Sequence, residues 1–264
     1  MGIAMDLPQN RFKTAIKEGR HQLGVWSSLG GNTAPEALAA CGFDWVLIDA
    51  EHGPIEPIDV LPALQAIAGY PEVSAIVRPP DNNATVIKRL LDMGAQTLLI
   101  PFIQTRQEAE EAVKAIRYAP EGIRGMAGIT RASRFGKVDN YATRAHEEIC
   151  LLVQAETALA IENLEDIATV EGVDGVFIGP ADLAASMGYA GRPDHDDVVE
   201  VCEDAIQRLK EIQCPAGILT LNEDIAMRCI KLGTLFTAVG VDLAMIVKVS
   251  TALRMRFHAF NDQN

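Results

Sequence analysis

The sequence has little of what marks secreted, membrane-bound or nucleic-acid-binding proteins. Its five cysteines form no C-x-x-C pair and are odd in number, which favours buried reduced thiols in a cytoplasmic protein over a disulfide framework. No apolar stretch reaches about 18 residues, and no basic region followed by an apolar run opens the chain, so neither a membrane span nor a signal peptide is expected. Basic residues are also scarce. A net charge of −13 disfavours nucleic acid and anionic lipid as partners.

What the chain does have is an alternation of short β-rich runs and longer helical patterns. Most of the β-rich runs are continuously apolar, which is typical of strands covered on both faces by helices. The predicted strands are 21–27, 44–50, 73–78, 96–102, 149–155, 174–178, 215–220 and 234–239. The predicted helices are 33–41, 57–68, 83–93, 106–117, 157–168, 195–212, 222–232 and 242–258. Four glycines are expected to end helices in the left-handed conformation: Gly42, Gly94, Gly172 and Gly233.

Eight strands, each followed by a helix, in a chain of 264 residues predict an α/β fold of the (β/α)₈ TIM-barrel type. We expect a single domain over residues 1–264, with a flexible N-terminus at 1–10. A doubly wound open sheet is the alternative. It would usually carry a glycine-rich phosphate loop after its first strand, and SLGGN at 28–32 matches G-x-G-x-x-G poorly.

One connection is longer than a compact barrel needs. About 30 residues separate the fourth predicted helix from the fifth predicted strand, and they include RGMAGITRASRFG at 124–136. Because this segment leaves from a helix end, it lies on the face of a barrel that serves stability. An interface element or flap is one interpretation. Its arginines and glycines equally allow a loop that folds over to meet an anion.

Reactive side chains of a TIM barrel gather at the carboxyl ends of the strands. Glu156 and Asp182 follow the neighbouring fifth and sixth strands, and a carboxylate pair suits a hard divalent cation with positions left for a bidentate 2-oxo acid. Each carboxylate could instead cap the helix after its strand.

The second and third strands end in a further set of polar residues. His52, in the run Asp-Ala-Glu-His-Gly, could be a zinc ligand, a structural residue or a general base. As a base it needs a carboxylate that fixes its tautomer, and Asp49 and Asp92 are the candidates. Arg78 ends the third strand and could hold a carboxylate, stabilise an oxyanion or form a structural ion pair.

The lysines disfavour Schiff-base chemistry on a carbonyl substrate. All eight fall on predicted helices or outer loops, whereas a Schiff-base enzyme needs one in the barrel mouth. A metal-stabilised enolate is therefore the better hypothesis. Trp26 and Leu219, near the ends of the first and seventh strands, could wall the mouth or belong to the core.

Several long motifs resemble the HpcH/HpaI aldolase family. They are FDWVLIDAEHGP, the turn Arg78-Pro-Pro, LLDMGAQTLLIPFIQT, RYAPEGIRGMAG-x-x-RASR, LLVQAET and GVDGVFIGPADLAASMGY. The similarity runs from about residue 11 to residue 257, which is nearly the whole chain.

The resemblance implies a TIM barrel and a class II pyruvate aldolase that uses Mg²⁺, Mn²⁺ or Co²⁺. It implies these roles: metal ligands Glu156 and Asp182, catalytic base His52 supported by Asp92, transition-state stabiliser Arg78, and pyruvate contacts Gln154 and the backbone of Ala181. It also implies a homohexamer in which the last helix, predicted at 242–258, is exchanged between subunits. An ordinary eighth barrel helix would fit that segment as well.

The resemblance leaves the aldehyde half of the reaction open. Retro-aldol cleavage of 4-hydroxy-2-oxoheptanedioate to pyruvate and succinic semialdehyde, in aromatic compound catabolism, is the first expectation, with promiscuity for the aldehyde. Sugar-acid cleavage of 2-dehydro-3-deoxyglucarate or 2-keto-3-deoxyrhamnonate is the near alternative. An acyl-coenzyme A lyase of the citramalyl or malyl type would need a groove for coenzyme A. A non-catalytic barrel would not need His52 as a base.

Overall fold

The computed structural model describes residues 5–261, apart from the side chains at 259 and 261. Its strands are β1 (Gln22–Ser27), β2 (Trp45–Asp49), β3 (Ser74–Arg78), β4 (Thr97–Ile100), β5 (Cys150–Ala155), β6 (Gly175–Ile178), β7 (Ala216–Leu219) and β8 (Phe236–Val241). Each lies within two residues of its predicted position. The predicted strands are therefore confirmed, with small differences at their ends.

The eight strands form a closed barrel in chain order. All neighbouring pairs are parallel, and β1 closes the barrel by pairing with β8. Every residue of β2 and β5 is buried, because the inner side chains fill the barrel and the outer ones meet the helices. The TIM-barrel prediction is confirmed.

The helices cover the outside of the barrel, except the first, whose Phe12 and Ile16 pack on the interior residues Trp45 and Phe236. They are α1 (Arg11–Lys17), α2 (Thr33–Ala40), α3 (Val60–Ile67), α4 (Ala84–Asp92), α5 (Arg106–Ile116), α6 (Tyr141–Arg144), α7 (Ala158–Glu162), α8 (Leu164–Ala168), α9 (Pro180–Ser186), α10 (Asp196–Glu211), α11 (Glu223–Leu232) and α12 (Asp242–Asn261). The short helices α1, α6 and α9 were not predicted, and the helix predicted at 157–168 is divided at Asn163 into α7 and α8.

Side chains and glycines mark where these helices begin and end. The Thr105 side chain accepts from the Glu108 N–H, and the Glu108 side chain accepts from the Thr105 N–H, a capping box that starts α5. Gly42, Gly94, Gly172 and Gly233 all have positive φ, from 84° to 124°. Gly42, Gly94 and Gly233 end their helices as predicted, whereas Gly172 lies in the turn that follows, because its helix already ends at Ala168 with Thr169 as the cap.

The long connection lies across the amino end of the barrel. Arg131 donates to the Met93 carbonyl, and the Ala132 N–H donates to the Asp92 carbonyl. Arg131 and Arg134 line a cavity of about 280 Å³ at this end, together with residues 7–11. Met126, Ile129 and Phe135 are exposed. The segment thus packs on the stability face, and its arginines lie far from the carboxyl ends of the strands.

The last helix, α12, leaves many apolar side chains in solvent. Exposed fractions of 44% to 66% are found at Leu243, Ile246, Val247, Val249, Leu253, Met255 and Phe257. Within residues 5–261, no helix combines the length and the hydropathy that crossing a membrane requires.

Candidate active site

A cavity of about 490 Å³ opens at the carboxyl ends of the strands. It brings together nine of the ten site residues predicted from sequence: Trp26, Asp49, His52, Arg78, Gln154, Glu156, Ala181, Asp182 and Leu219. Among the described residues that line it there is no lysine, as the sequence predicted. The tenth residue, Asp92, lies elsewhere.

Arg78, the last residue of β3, is fixed on two sides. Its Nε and Nη2 donate to the two oxygens of Asp49 at 2.8 and 2.9 Å, and its Nη1 lies 2.7 Å from Glu51 Oε2. The guanidinium also stacks on Trp26, 4.3 Å from the ring centre. Arg78 and Asp49 are both nearly fully buried. Arg78 is therefore locked in one orientation at the cavity wall.

Glu51 is a site residue for which the sequence predicted no role. It contacts both Arg78 and His52, and its pKa is raised chiefly by burial, with Arg78 acting in the opposite direction. Its position in the run Asp-Ala-Glu-His-Gly was the one available indication, because a residue between two site residues in a tight turn cannot lie far from them.

His52 reaches the cavity from the turn after β2. Its side chain is 66% exposed, and its Nε2 lies 3.9 Å from Glu51 Oε2. Asp49, one predicted partner of the ring, instead binds Arg78 with both oxygens and receives the Glu51 N–H at 3.2 Å. Within one chain, therefore, the carboxylate beside the His52 ring is Glu51.

Asp92, the other predicted partner of His52, sits at the C-terminal end of α4. That end lies beside the start of β4, at the opposite end of the barrel from the cavity. There Asp92 accepts a hydrogen bond of 2.8 Å from Arg124, whose side chain is fully buried. The structure of one chain thus differs from the expected His52–Asp92 pair, because a barrel helix runs back to the amino ends of the strands and its last residue faces away from the cavity.

Glu156 follows β5 and is 2% exposed. The Phe102 N–H donates to its Oε1 at 2.8 Å, and the Gln154 side-chain amide donates to its Oε2. Burial raises the pKa of Glu156 to about 7, and the nearby charge of Asp182 adds to the rise, while the Phe102 N–H opposes it. A buried carboxylate with this pKa would gain from a cation.

Gly179 makes room for Glu156, a second role that the sequence did not predict. A Cβ at this position would lie 2.6 Å from Glu156 Oε2 and 2.7 Å from Glu156 Cβ. After Gly179, α9 begins at Pro180, so that Ala181 and Asp182 fall in its first turn at the cavity. Backbone N–H groups of a first turn have no acceptor within the helix, which fits a substrate contact through Ala181.

The donor set around Glu156 fits a divalent cation. Glu156 and Asp182 supply carboxylate oxygens, and Gln154 Oε1 is a buried acceptor without a hydrogen-bond donor. No group of three or more His, Cys, Asp or Glu side chains arranged for a metal occurs among residues 5–261. Two protein ligands with open positions are the arrangement that Mg²⁺ commonly accepts.

Comparison with known proteins agrees with the fold and the site described above. The model of the HpcH/HpaI aldolase/citrate lyase family matches residues 22–248. A pyruvate aldolase of Rhizobium etli is 57% identical, with coverage of 96% of this chain and 99% of the relative. A 4-hydroxy-2-oxo-heptane-1,7-dioate aldolase of Escherichia coli is 50% identical, with coverage of 95% and 96%.

A second relative and one solved structure extend the comparison. A hydroxypyruvate/pyruvate aldolase of Sagittula stellata is 50% identical over 95% of this chain and 98% of its own length. The crystal structure of an HpcH/HpaI aldolase/citrate lyase family protein from Burkholderia cenocepacia superposes with a TM-score of 0.90 at 34% identity, covering 95% of this chain and all of that one. The chain therefore belongs to the HpcH/HpaI aldolase/citrate lyase family and is an aldolase, a carbon–carbon lyase.

Proposed function

We propose that this chain is a divalent-metal-dependent pyruvate aldolase that cleaves 4-hydroxy-2-oxoheptanedioate to pyruvate and succinic semialdehyde, reversibly and with tolerance for other aldehydes. The observation that carries the proposal is the single cavity in which Glu156 and Asp182 face His52 and Arg78. The names of the Rhizobium and Escherichia relatives support the choice of pyruvate and of the heptanedioate.

Glu156 and Asp182 would hold Mg²⁺, Mn²⁺ or Co²⁺. A divalent cation in that place supplies Lewis-acid stabilisation of negative charge on the oxygen of a pyruvate enolate. Gln154 and the Ala181 backbone would orient the carboxylate and keto groups of the 2-oxo acid beside these ligands.

Arg78 adds fixed positive charge at the same oxygen. Asp49 accepts two of its five N–H groups, and Glu51 Oε2 lies 2.7 Å from Nη1, so that the second N–H groups of Nη1 and Nη2 would serve this oxygen. Because Asp49 and Trp26 already hold the guanidinium, no reorganisation is needed when charge develops. His52 moves the proton of the reaction, since it is an imidazole at the cavity that Glu51 can stabilise when charged.

The aldehyde half has an apolar wall. Five apolar side chains line the cavity together with the polar ones: Trp26, Phe177, Ile218, Leu219 and Val241. Apolar walls discriminate weakly between small aldehydes, which supports promiscuity. The sugar-acid aldolase alternative predicts faster cleavage of hydroxylated acids. An acyl-coenzyme A lyase predicts turnover of a thioester and none of free 2-oxo acids.

The experiment is exchange of the pyruvate methyl protons in D₂O, followed by NMR on protein stripped with chelator and then given Mg²⁺, Mn²⁺ or Co²⁺. We expect exchange that disappears with chelator and returns with metal. We also expect its loss in His52→Ala but not in the control His146→Ala, since His146 lies next to the amino end of β5. Metal-independent exchange, or unchanged exchange in His52→Ala, would contradict the proposal.

We further propose a homohexamer in which α12 packs on another copy of the chain. The exposed apolar side chains of α12 support this, because patches of that kind on soluble proteins mark interfaces. Light scattering should give six chains, and Val249→Glu should lower the mass, because Val249 is 66% exposed in one chain. A monomeric wild-type protein would contradict the hexamer.

A further inference from the structure

Phe102 has a backbone conformation that its side chain does not explain. It lies two residues after β4, at the mouth of the barrel, with a φ of 56° in the left-handed region. Residues other than glycine, asparagine and aspartate rarely adopt this region, because Cβ approaches the carbonyl oxygen. Phe102 is 54% exposed, so burial of this residue does not hold the chain there. The conformation therefore needs another cause.

The left-handed turn directs a backbone N–H at Glu156. The Phe102 N–H donates to Glu156 Oε1 at 2.8 Å, while the next N–H, that of Ile103, donates to the Gln154 carbonyl at 3.1 Å. Ile103 is buried and anchors the turn. The Gln154 amide holds the other oxygen of Glu156. The Glu156 carboxylate is thus held by the turn after β4 and by a side chain of β5, with one hydrogen bond on each oxygen.

We infer that Phe102 is a positioning residue, whose left-handed backbone orients Glu156 for a divalent cation and so sets the affinity of the site. The inference rests on the proposed metal site. Its physical basis is preorganisation. A carboxylate that is already held in one orientation loses less freedom when a cation binds, and partners that orient metal ligands are worth about 10- to 100-fold in metal affinity.

Three substitutions of Phe102 distinguish the effect of its backbone conformation from the effect of its aromatic ring. Phe102→Val should weaken Mn²⁺ binding by about 10- to 100-fold, because a β-branched residue strongly disfavours positive φ and the N–H would turn away. Phe102→Gly should stay within about twofold of wild type, since glycine accepts the same conformation and keeps the N–H. Should the valine variant not fold, Phe102→Thr, which is also β-branched, replaces it and should bind Mn²⁺ more weakly than Phe102→Gly does.

Phe135 offers a matched control. It is also a phenylalanine at a φ of 56° and is 67% exposed, but it lies in the connection at the amino end of the barrel. Phe135→Val therefore imposes the same backbone strain far from Glu156. It should change thermal stability about as much as Phe102→Val does and leave Mn²⁺ binding as in wild type.

The measurement is the concentration of free Mn²⁺, read by electron paramagnetic resonance during titration of the full-length protein, with the melting temperature of each variant recorded beside it. The inference is overturned if Phe102→Val binds Mn²⁺ like Phe135→Val, or if Phe102→Gly binds as weakly as Phe102→Val. A wild-type protein that binds no Mn²⁺ would instead overturn the proposed metal site itself. The two failures are therefore distinguishable.

Discussion

The buried carboxylate of Glu156 should make the stability of the metal-free protein depend on pH. Burial raises its pKa from the ordinary 4.5 to about 7 in the folded protein, whereas the unfolded chain retains the ordinary value. Between these two values the folded state binds the proton and the unfolded state releases it. The free energy of unfolding should therefore fall as pH rises from about 4.5 to about 7, and the loss should be complete above that range.

The size of the loss follows from the shift. About 2.5 pKa units at 1.36 kcal/mol each give roughly 3 kcal/mol of penalty for the ionised carboxylate at pH 8. Glu156→Gln removes that charge and should make the metal-free protein roughly 3 kcal/mol more stable than wild type at pH 8, with little difference near pH 4.5. The introduced amide oxygen can still accept from the Phe102 N–H. The Gln154 side chain can turn its partnerless Oε1 toward the new amide nitrogen.

The assay is urea unfolding in chelator at pH 5 and pH 8, at one fixed protein concentration because assembly would also shift the midpoint. Added Mn²⁺ should raise the stability of wild type at pH 8 and leave Glu156→Gln unchanged. The reasoning is refuted if the variant is less stable than wild type at pH 8, or if the difference between the two proteins does not change with pH.

Three further substitutions test single contacts. Gly179→Ala places a methyl group 2.6 Å from Glu156 Oε2 and should weaken Mn²⁺ binding about tenfold or more in a calorimetric titration; unchanged binding would show that Glu156 can move. Asp49→Ala leaves Arg78 buried without its fork partner and should cost about 3 kcal/mol in urea unfolding; a loss below 1 kcal/mol would contradict a locked arginine. Asp92→Asn should lower the melting temperature through Arg124 and leave the pH profile of proton exchange unchanged; a shifted profile would support Asp92 as the partner of His52, reached from another copy.

The sequence predicts the barrel well because burial on both faces leaves a direct trace. Strands such as β2 are buried at every position, so that their apolar runs are unbroken, and glycines such as Gly94 follow the helices with positive φ. The short helices escape prediction, because four to seven residues are too few for a helical period to show. The break at Asn163 escapes for the same reason.

The site is predicted less evenly than the fold. Residues at the carboxyl end of a strand, such as Arg78 and Glu156, lie near the mouth, and the structure brings both to the cavity. Asp92 ends a helix, and barrel helices end at the amino face, so the predicted fold already places it away from the mouth of its own chain; its pairing with His52 came from the resemblance alone. Phe102 and Gly179 act through the backbone. Phe102 directs its N–H at Glu156, and Gly179 leaves space for Glu156 because it has no Cβ. No reactive side chain marks such positions in a sequence.

The charge balance of the cavity indicates the order in which ligands bind. Its described lining holds one cation, Arg78, and four carboxylates, Asp49, Glu156, Asp182 and Asp194, which is an excess of three negative charges when all are ionised. Asp49 already neutralises Arg78. An anionic 2-oxo acid should therefore bind weakly to the metal-free protein, because like charges in a partly desolvated cavity repel.

A divalent cation bound first would cancel most of that excess and present a positive charge to the incoming carboxylate. We expect calorimetric titration with pyruvate to give no measurable heat of binding in chelator and clear binding once Mg²⁺ is present. In Asp182→Asn, which removes one negative charge together with one proposed ligand, pyruvate should bind weakly with or without the metal. Equal pyruvate affinity with and without Mg²⁺ in the wild-type protein would mean that Arg78 and backbone N–H groups alone overcome the repulsion, and that the cation acts only on the chemical step.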